Sequence, residues 1–130
     1  MILTTCAVCA APLADEAPAH CVNCQTRYDS AVSNLIELLG ATREFEEAKS
    51  LAREKIPAII NRHGPDHTLT LEVRTWYARA LFLEGEDLSE AATILEDVWR
   101  RSRRVLGEAH PETERARKFL EEVRSARVED

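Results

Sequence analysis

All four cysteines lie within the first 24 residues, spaced as Cys6-x2-Cys9-x11-Cys21-x2-Cys24. A C-x2-C pair forms a tight knuckle that turns two thiolates toward one point. Two such knuckles complete a tetrahedron of sulfur around one borderline-soft divalent ion. The spacing therefore predicts a single Zn2+ ion held by Cys6, Cys9, Cys21 and Cys24, with Zn–S bonds of about 2.3 Å. Four protein ligands leave no open coordination position, so the centre is structural and not catalytic. The other states open to these residues are two disulfides, which need an oxidising compartment, and four free thiols. The stretch Ala10-Ala11-Pro12-Leu13-Ala14-Asp15-Glu16-Ala17-Pro18-Ala19-His20 is too short and too rich in Ala and Pro to build a core. Metal binding would have to supply its folding free energy. His20, beside a ligand, reads as a solvent-facing loop residue.

Other clusters have simpler explanations. His63, Asp66 and His67 gather around Gly64, but a histidine recurs in the same context at His110, which favours a capping or packing role over metal ligation. Trp99-Arg100-Arg101-Ser102-Arg103-Arg104 is the only basic cluster. Glu96, Asp97 and Glu108 are close enough in sequence to pair with it, and cations near a helix C-terminus complement the macrodipole. Trp99 belongs to an apolar stripe, which makes it a core residue in preference to a stacking platform. No His-Glu-x-x-His, Gly-x-Ser-x-Gly or Gly-rich phosphate loop occurs. Glu46-Glu47 and Glu121-Glu122 read as solvated helix faces. The chain is not expected to be an enzyme.

The elements that must carry these residues are helical. Aromatics make up only 5% of the 130 residues, too few for the strands of an ordinary β-sandwich or barrel. The net charge of −6 argues against a general DNA binder or a partner for anionic membranes. The N-terminus lacks a basic start, and no run reaches the roughly 18 apolar residues of a membrane span. An intracellular, cytoplasmic protein is expected. From Asp29 onward the apolar residues follow a helical period. The clearest stripe is Leu88, Ala91, Ala92, Leu95, Val98, Trp99, Ser102, Val105, Leu106, with Asp87 and Ser89 as N-cap chemistry and Gly107 as the stop. Others are Val32–Leu39 ending at Gly40, Phe45–Ile60 ending at Gly64, Leu69–Leu81 ending near Gly85, and Ala116–Ala126 opened by Pro111. Pro57 falls inside the second and predicts a kink near Arg53. These are five helices on short connections, so neighbours run antiparallel.

The helices repeat. Gly64-Pro65-Asp66-His67-Thr68-Leu69-Thr70 recurs 43 residues on as Gly107-Glu108-Ala109-His110-Pro111-Glu112-Thr113. At the same offset Arg74 meets Arg117, Trp76 meets Phe119, Ala48 meets Ala91 and Leu51 meets Ile94. Small residues at Ala48, Ala78 and Ala91 suit close helix crossings. A fixed period of helix–turn–helix units marks an α-solenoid. The linker resembles that of the tetratricopeptide repeats of kinesin light chains, and the likeness covers residues 29–127. Arg103-Arg104-Val105-Leu106-Gly107 ahead of His110-Pro111 is similar to a group of microalgal tetratricopeptide proteins, many of which carry an N-terminal MYND-like finger. Cys21-Val22-Asn23-Cys24-Gln25-Thr26-Arg27-Tyr28 resembles the first half of such a finger. Asp29 and Ser33 stand where that family has further cysteines, so the likeness is to a truncated, zinc-ribbon-like module.

The expected architecture is all-α: a tetratricopeptide-like α-solenoid of about two and a half helical hairpins over residues 29–130, with a small four-cysteine zinc knuckle over residues 1–28 packed on its N-terminal end. Residues 112–127 would form the polar cap. The resemblance implies a non-catalytic adaptor or scaffold that binds a peptide or protein through the concave face, the zinc module, or both. In that family the first helix of each pair lines the groove. Taking Ala78 as the small packing position, Glu72, Thr75 and Arg79 point into it, the repeat adds Arg115, Lys118 and Glu122, and Ser33 and Glu37 follow in the first repeat. With so few repeats, homo-oligomerisation or incorporation into a larger complex is a further expectation. The alternatives are a nucleic-acid-associated zinc-ribbon factor and a structural subunit of a larger complex.

Overall fold

A computed structural model describes residues 22–129. Five helices follow in order: α1 (Val22–Ala41), α2 (Phe45–His63), α3 (Thr68–Glu84), α4 (Leu88–Leu106) and α5 (Pro111–Glu129). There is no strand among the described residues. α1 begins earlier than Asp29, so Cys24 and Tyr28 are helical; Cys6, Cys9 and Cys21 lie outside the described residues. The chain divides into two units, Met1–Ala31 and Val32–Asp130. The packing that follows is that of the second unit.

The helix ends show why the repeat has the sequence it has. α2 and α4 stop at Gly64 and Gly107, with φ/ψ of 90/163° and 89/163°. This is a backbone region that essentially only glycine occupies. The Gly64 N–H donates to the Ile60 carbonyl and the Gly107 N–H to the Ser102 carbonyl, closing each helix. Three residues later a histidine opens the next helix. Nδ1 of His67 accepts the Leu69 N–H at 3.1 Å, and Nδ1 of His110 accepts the Glu112 N–H at 3.1 Å. Each satisfies one of the orphan donors of a helix N-terminus. The capping role expected for the repeated histidines is therefore what the geometry provides. In the first copy Thr70 Oγ1 also donates to the Gly64 carbonyl at 2.8 Å, locking the turn. α4 opens with the Asp87 carboxylate accepting the Glu90 N–H at 3.0 Å.

α3 sits at the centre of the unit. It packs on α2, α4 and α5, and its Ala80 lies where a Cβ added at Gly40 of α1 would meet it at 3.6 Å. Leu71, Val73, Ala78 and Ala80 are fully buried, and Leu69, Tyr77 and Leu81 nearly so. These residues point to every side of the helix, as a helix enclosed by neighbours requires. α4 in contrast buries one stripe, Ala91, Ala92, Leu95, Val98 and Ser102. Ala48, Ala78 and Ala91 are all fully buried, as close crossings demand. Pro57 gives the Arg53 carbonyl no helical N–H, yet α2 continues through it to His63. Ion pairs tie the layers together: Lys49 to Glu84 between α2 and α3 at 2.9 Å, Arg74 to Asp97 between α3 and α4 at 2.7 Å, and Arg124 to Glu96 between α5 and α4 at 3.2 Å. α5 buries Ala116, Leu120 and Val123 and turns Lys118, Glu121, Arg124 and Arg127 outward, the polar face of a terminal helix.

A Cβ added at Gly64 or Gly107 would meet nothing within 4 Å, so crowding gives alanine no penalty there. The backbone conformation does penalise it, because φ is +90° and +89° at these positions. Gly64→Ala and Gly107→Ala should each destabilise the protein by about 1–3 kcal/mol, measured by urea denaturation. Unchanged midpoints would show that the turn conformation is not what selects glycine.

Candidate functional site

α3 and α5 are the first helices of successive hairpins, and they touch directly along one face. Trp76 and Phe119 occupy equivalent repeat positions on it, and their rings meet at 5.8 Å between centroids. Two guanidinium groups lie on this aromatic strip. Arg79 stands over the Phe119 ring at 4.5 Å and over Phe82 at 5.4 Å, and it pairs with Glu122. Arg115 stands over Trp76 at 4.9 Å and pairs with Glu112 at 2.8 Å. The ring quadrupoles favour this placement of the cations. Two hollows flank the strip. One, of about 280 Å³, is bordered by Glu37, Gly40 and Ala41 of α1 and by Trp76, Arg79, Ala80 and Leu83 of α3. The other, of about 550 Å³, is bordered by Phe82, Lys118, Glu121, Glu122, Ser125 and Ala126.

Of the residues singled out from the sequence, Arg79, Lys118, Glu122 and Glu37 border these hollows. The charges of Glu72 and Arg115 both reach Glu112, and Glu72 accepts the Ser33 hydroxyl at 3.2 Å. Thr75 does not face outward. It is fully buried, and its hydroxyl donates to the Leu71 carbonyl at 2.7 Å. Bonding its own preceding turn satisfies the hydroxyl without a ligand or water, so burial is tolerated. Its repeat equivalent Lys118, in the last helix, remains exposed. Ser33 is likewise fully buried. The aromatic place on the face belongs to Trp76, the neighbour of Thr75.

Glu112 is the residue the sequence reading passed over. It is 5% exposed, one carboxylate oxygen accepts from Arg115, and the other is buried with no hydrogen-bond partner among the described residues. Burial pushes its carboxyl above the usual range; Arg115 opposes the shift and nearby Glu72 adds to it. The signal was present in the repeat, because Glu112 takes the register of the nearly buried Leu69.

The basic end of α4 is largely neutralised. Arg101 pairs with Asp66 and Asp97, each at 2.9 Å, and Arg104 with Asp66 at 3.1 Å. Arg103 pairs with Glu108 at 3.2 Å and lies over the half-buried Trp99 at 4.8 Å. These bonds staple the 64–67 turn to α4. The Arg101 bond holds the Asp66 carboxyl below its usual range. Burial pushes Asp97 up, but the bonds from Arg74 and Arg101 outweigh it and leave it lowered. The His63 and His67 rings lie 4.7 Å apart between centroids, tilted by 36°, and no group of three His, Cys, Asp or Glu side chains among the described residues is placed to hold a metal ion. Among the proposed zinc ligands only Cys24, half-buried in the first turn of α1, is described. No helix among the described residues is long and apolar enough to cross a membrane.

A family profile described as tetratricopeptide repeat matches residues 78–112, from the second half of α3 through α4 to the start of α5. The match agrees with the all-helical repeat, and such repeats generally mediate protein–protein interaction. Comparison with the curated proteins and with the solved structures gives no match.

The ionised forms of Asp66 and Asp97 are favoured by folding, so their contribution to stability is present above the ordinary value of 3.8 and is lost as pH falls through the lowered pKa values. Glu112 has the opposite sign. Its neutral form is favoured by folding, so the stability it contributes is full below 4.5 and is lost as pH rises through the raised pKa. Arg101→Ala should therefore lower the urea midpoint at pH 7 and lose that difference under strong acid. Glu112→Gln should raise the midpoint at pH 7, with the gain vanishing as pH falls toward 4.5. A pH-independent difference in either variant would contradict these assignments.

Proposed function

We propose that this chain is a non-catalytic adaptor whose α1, α3 and α5 face binds a peptide or a protein segment. The observation that carries the reading is the Trp76–Phe119 strip, flanked by hollows and rimmed by Glu37, Arg79, Lys118 and Glu122. Aromatic and Arg side chains dominate the energetics of protein interfaces, and a rim of mixed sign sets orientation and partner choice. The tetratricopeptide match points to the same class of activity. The groove set is then Glu72, Arg79, Arg115, Lys118 and Glu122, with Trp76 in place of Thr75.

The four cysteines belong to the same proposal. Cys24 lies in the first turn of α1. Cys6, Cys9, Cys21 and Cys24 would hold one structural Zn2+, which supplies folding free energy to residues 1–28 and takes part in no reaction. A thiolate centre of this kind suits a reducing, intracellular compartment. The nucleic-acid reading loses its main support, because Arg101, Arg103 and Arg104 are engaged by Asp66, Asp97 and Glu108.

Affinity capture from source-cell lysate should compare the intact chain with a form carrying Glu72→Ala, Arg79→Ala, Arg115→Ala and Lys118→Ala. The expected result is a partner retained by the first and lost by the second, with both folded by circular dichroism. Retention by both would remove the groove from the account. Elemental analysis of untagged protein should find one zinc per chain and a much lower content in Cys24→Ser. Metal-free intact protein would overturn the zinc assignment.

A further inference from the structure

On the side opposite in chain logic to the first-helix face, α2 and α4 both rest on α3, yet their backbones do not approach each other. The gap between them is a cleft of about 280 Å³. Ala52, Ile56 and Pro57 of α2 line it on one side, Ile94 of α4 on the other, and Tyr77 of α3 lies between. The cleft has a cause in the repeat. At the registers of Ala52 and Ile56, 43 residues on, α4 carries the larger Leu95 and Trp99, so α2 presents smaller side chains at this seam. Pro57 contributes a second peculiarity, for it leaves the Arg53 carbonyl without a helical donor.

The polar groups of the cleft differ in how far they are satisfied. Arg74 is held by Asp97 at 2.7 Å. The Tyr77 hydroxyl donates to Glu90 at 3.2 Å and accepts Nε of Arg53 at 3.2 Å. Glu90 is thus engaged, and Glu46, the other acid whose charge reaches Arg53, pairs with Lys49 at 3.0 Å. Arg53 itself is exposed and makes no ion pair among the described residues, so the terminal nitrogens of its guanidinium stand at an apolar cleft without an anion. A guanidinium held only through Nε beside a hydrocarbon-lined hollow suits an apolar body ending in a carboxylate.

We infer that the α2–α4 cleft binds an apolar monocarboxylate, its hydrocarbon between Ile56, Pro57, Tyr77 and Ile94 and its carboxylate on Arg53. This site is distinct from the α1, α3 and α5 face, and it stands whether or not that face binds a peptide. The carboxylate has two sources, a free short-chain acid or the C-terminal residue of a polypeptide that ends in an apolar side chain.

The test is a titration of the isotopically labelled 130-residue chain with hexanoate, followed by amide chemical shifts. Hexanoate has few atoms with which to gain affinity, so a Kd on the order of 1 mM is expected. Saturable shifts should centre on Arg53, Ile56, Tyr77 and Ile94. Hexanol, with the same apolar chain and no charge, should bind about tenfold more weakly, and Arg53→Gln should weaken hexanoate by a similar factor. Ile56→Trp places in α2 the side chain that α4 carries at that register and should abolish binding. If that variant fails to fold, the comparison of hexanoate with hexanol still decides. A short acetylated peptide ending in leucine, as free acid and as amide, separates the sources. Tighter binding of the free-acid peptide than of hexanoate assigns a chain terminus, and weaker binding assigns a free acid. No saturable shift in the cleft, equal binding of hexanol and hexanoate, or an unaltered Arg53→Gln would each overturn the inference.

Discussion

Everything in the second unit depends on the enclosure of α3. One helix serves as the inner wall for α2 and α4 and as the neighbour of α5, and it meets α1 through Ala80 and Glu72. That position requires apolar or self-satisfied side chains on all sides. Leu71 and Val73 supply the first kind, and Thr75, bonded to its own preceding turn, supplies the second. It also requires small residues where backbones come closest, which Ala78 and Ala80 provide. What α3 leaves at the surface is the narrow band beside α5 and α1, and there the chain places Trp76, Arg79 and Phe82.

The enclosure is aligned by a turn used twice. A glycine in a conformation reserved for glycine ends one helix, and three residues later a histidine caps the next. Two copies of one device 43 residues apart set the same geometry for α3 against α2 and for α5 against α4, which is why Trp76 and Phe119 arrive side by side. The copies also differ. Thr70 bonds the Gly64 carbonyl, whereas Thr113 is buried without a partner, and Leu69 becomes Glu112. Where the repeat departs from itself, the structure carries unsatisfied polar groups.

The helices were legible because glycines, an aspartate cap and apolar periodicity all act locally. Gly64, Gly85, Gly107 and Asp87 mark ends that the structure places within a residue of the pattern. The repeat made the pairing of Trp76 with Phe119 legible as well. Orientation within the site was less accessible. Thr75 and Trp76 are adjacent, and only the packing of neighbouring helices decides which one faces outward. The burial of Glu112 was readable from its register with Leu69, but charge alone suggested a surface. The α2–α4 cleft left no local signal, since it arises from the absence of bulk at Ala52 and Ile56. The four cysteines have the clearest spacing in the chain, yet Cys6, Cys9 and Cys21 lie outside the described residues.

The proposed groove consists of side chains that the fold holds in advance. Arg79 is fixed by Glu122 and two aromatic rings, and Arg115 by Glu112 and Trp76, so little side-chain entropy remains to be lost on binding. The most direct test begins with selection of peptides from a displayed random library against the intact, labelled chain. The amide shifts caused by the tightest peptide are then mapped. The account predicts perturbations centred on Glu37, Trp76, Arg79, Lys118 and Glu122. Perturbations confined to the basic end of α4 or to the α2–α4 cleft, or a library that yields no binder, would contradict it.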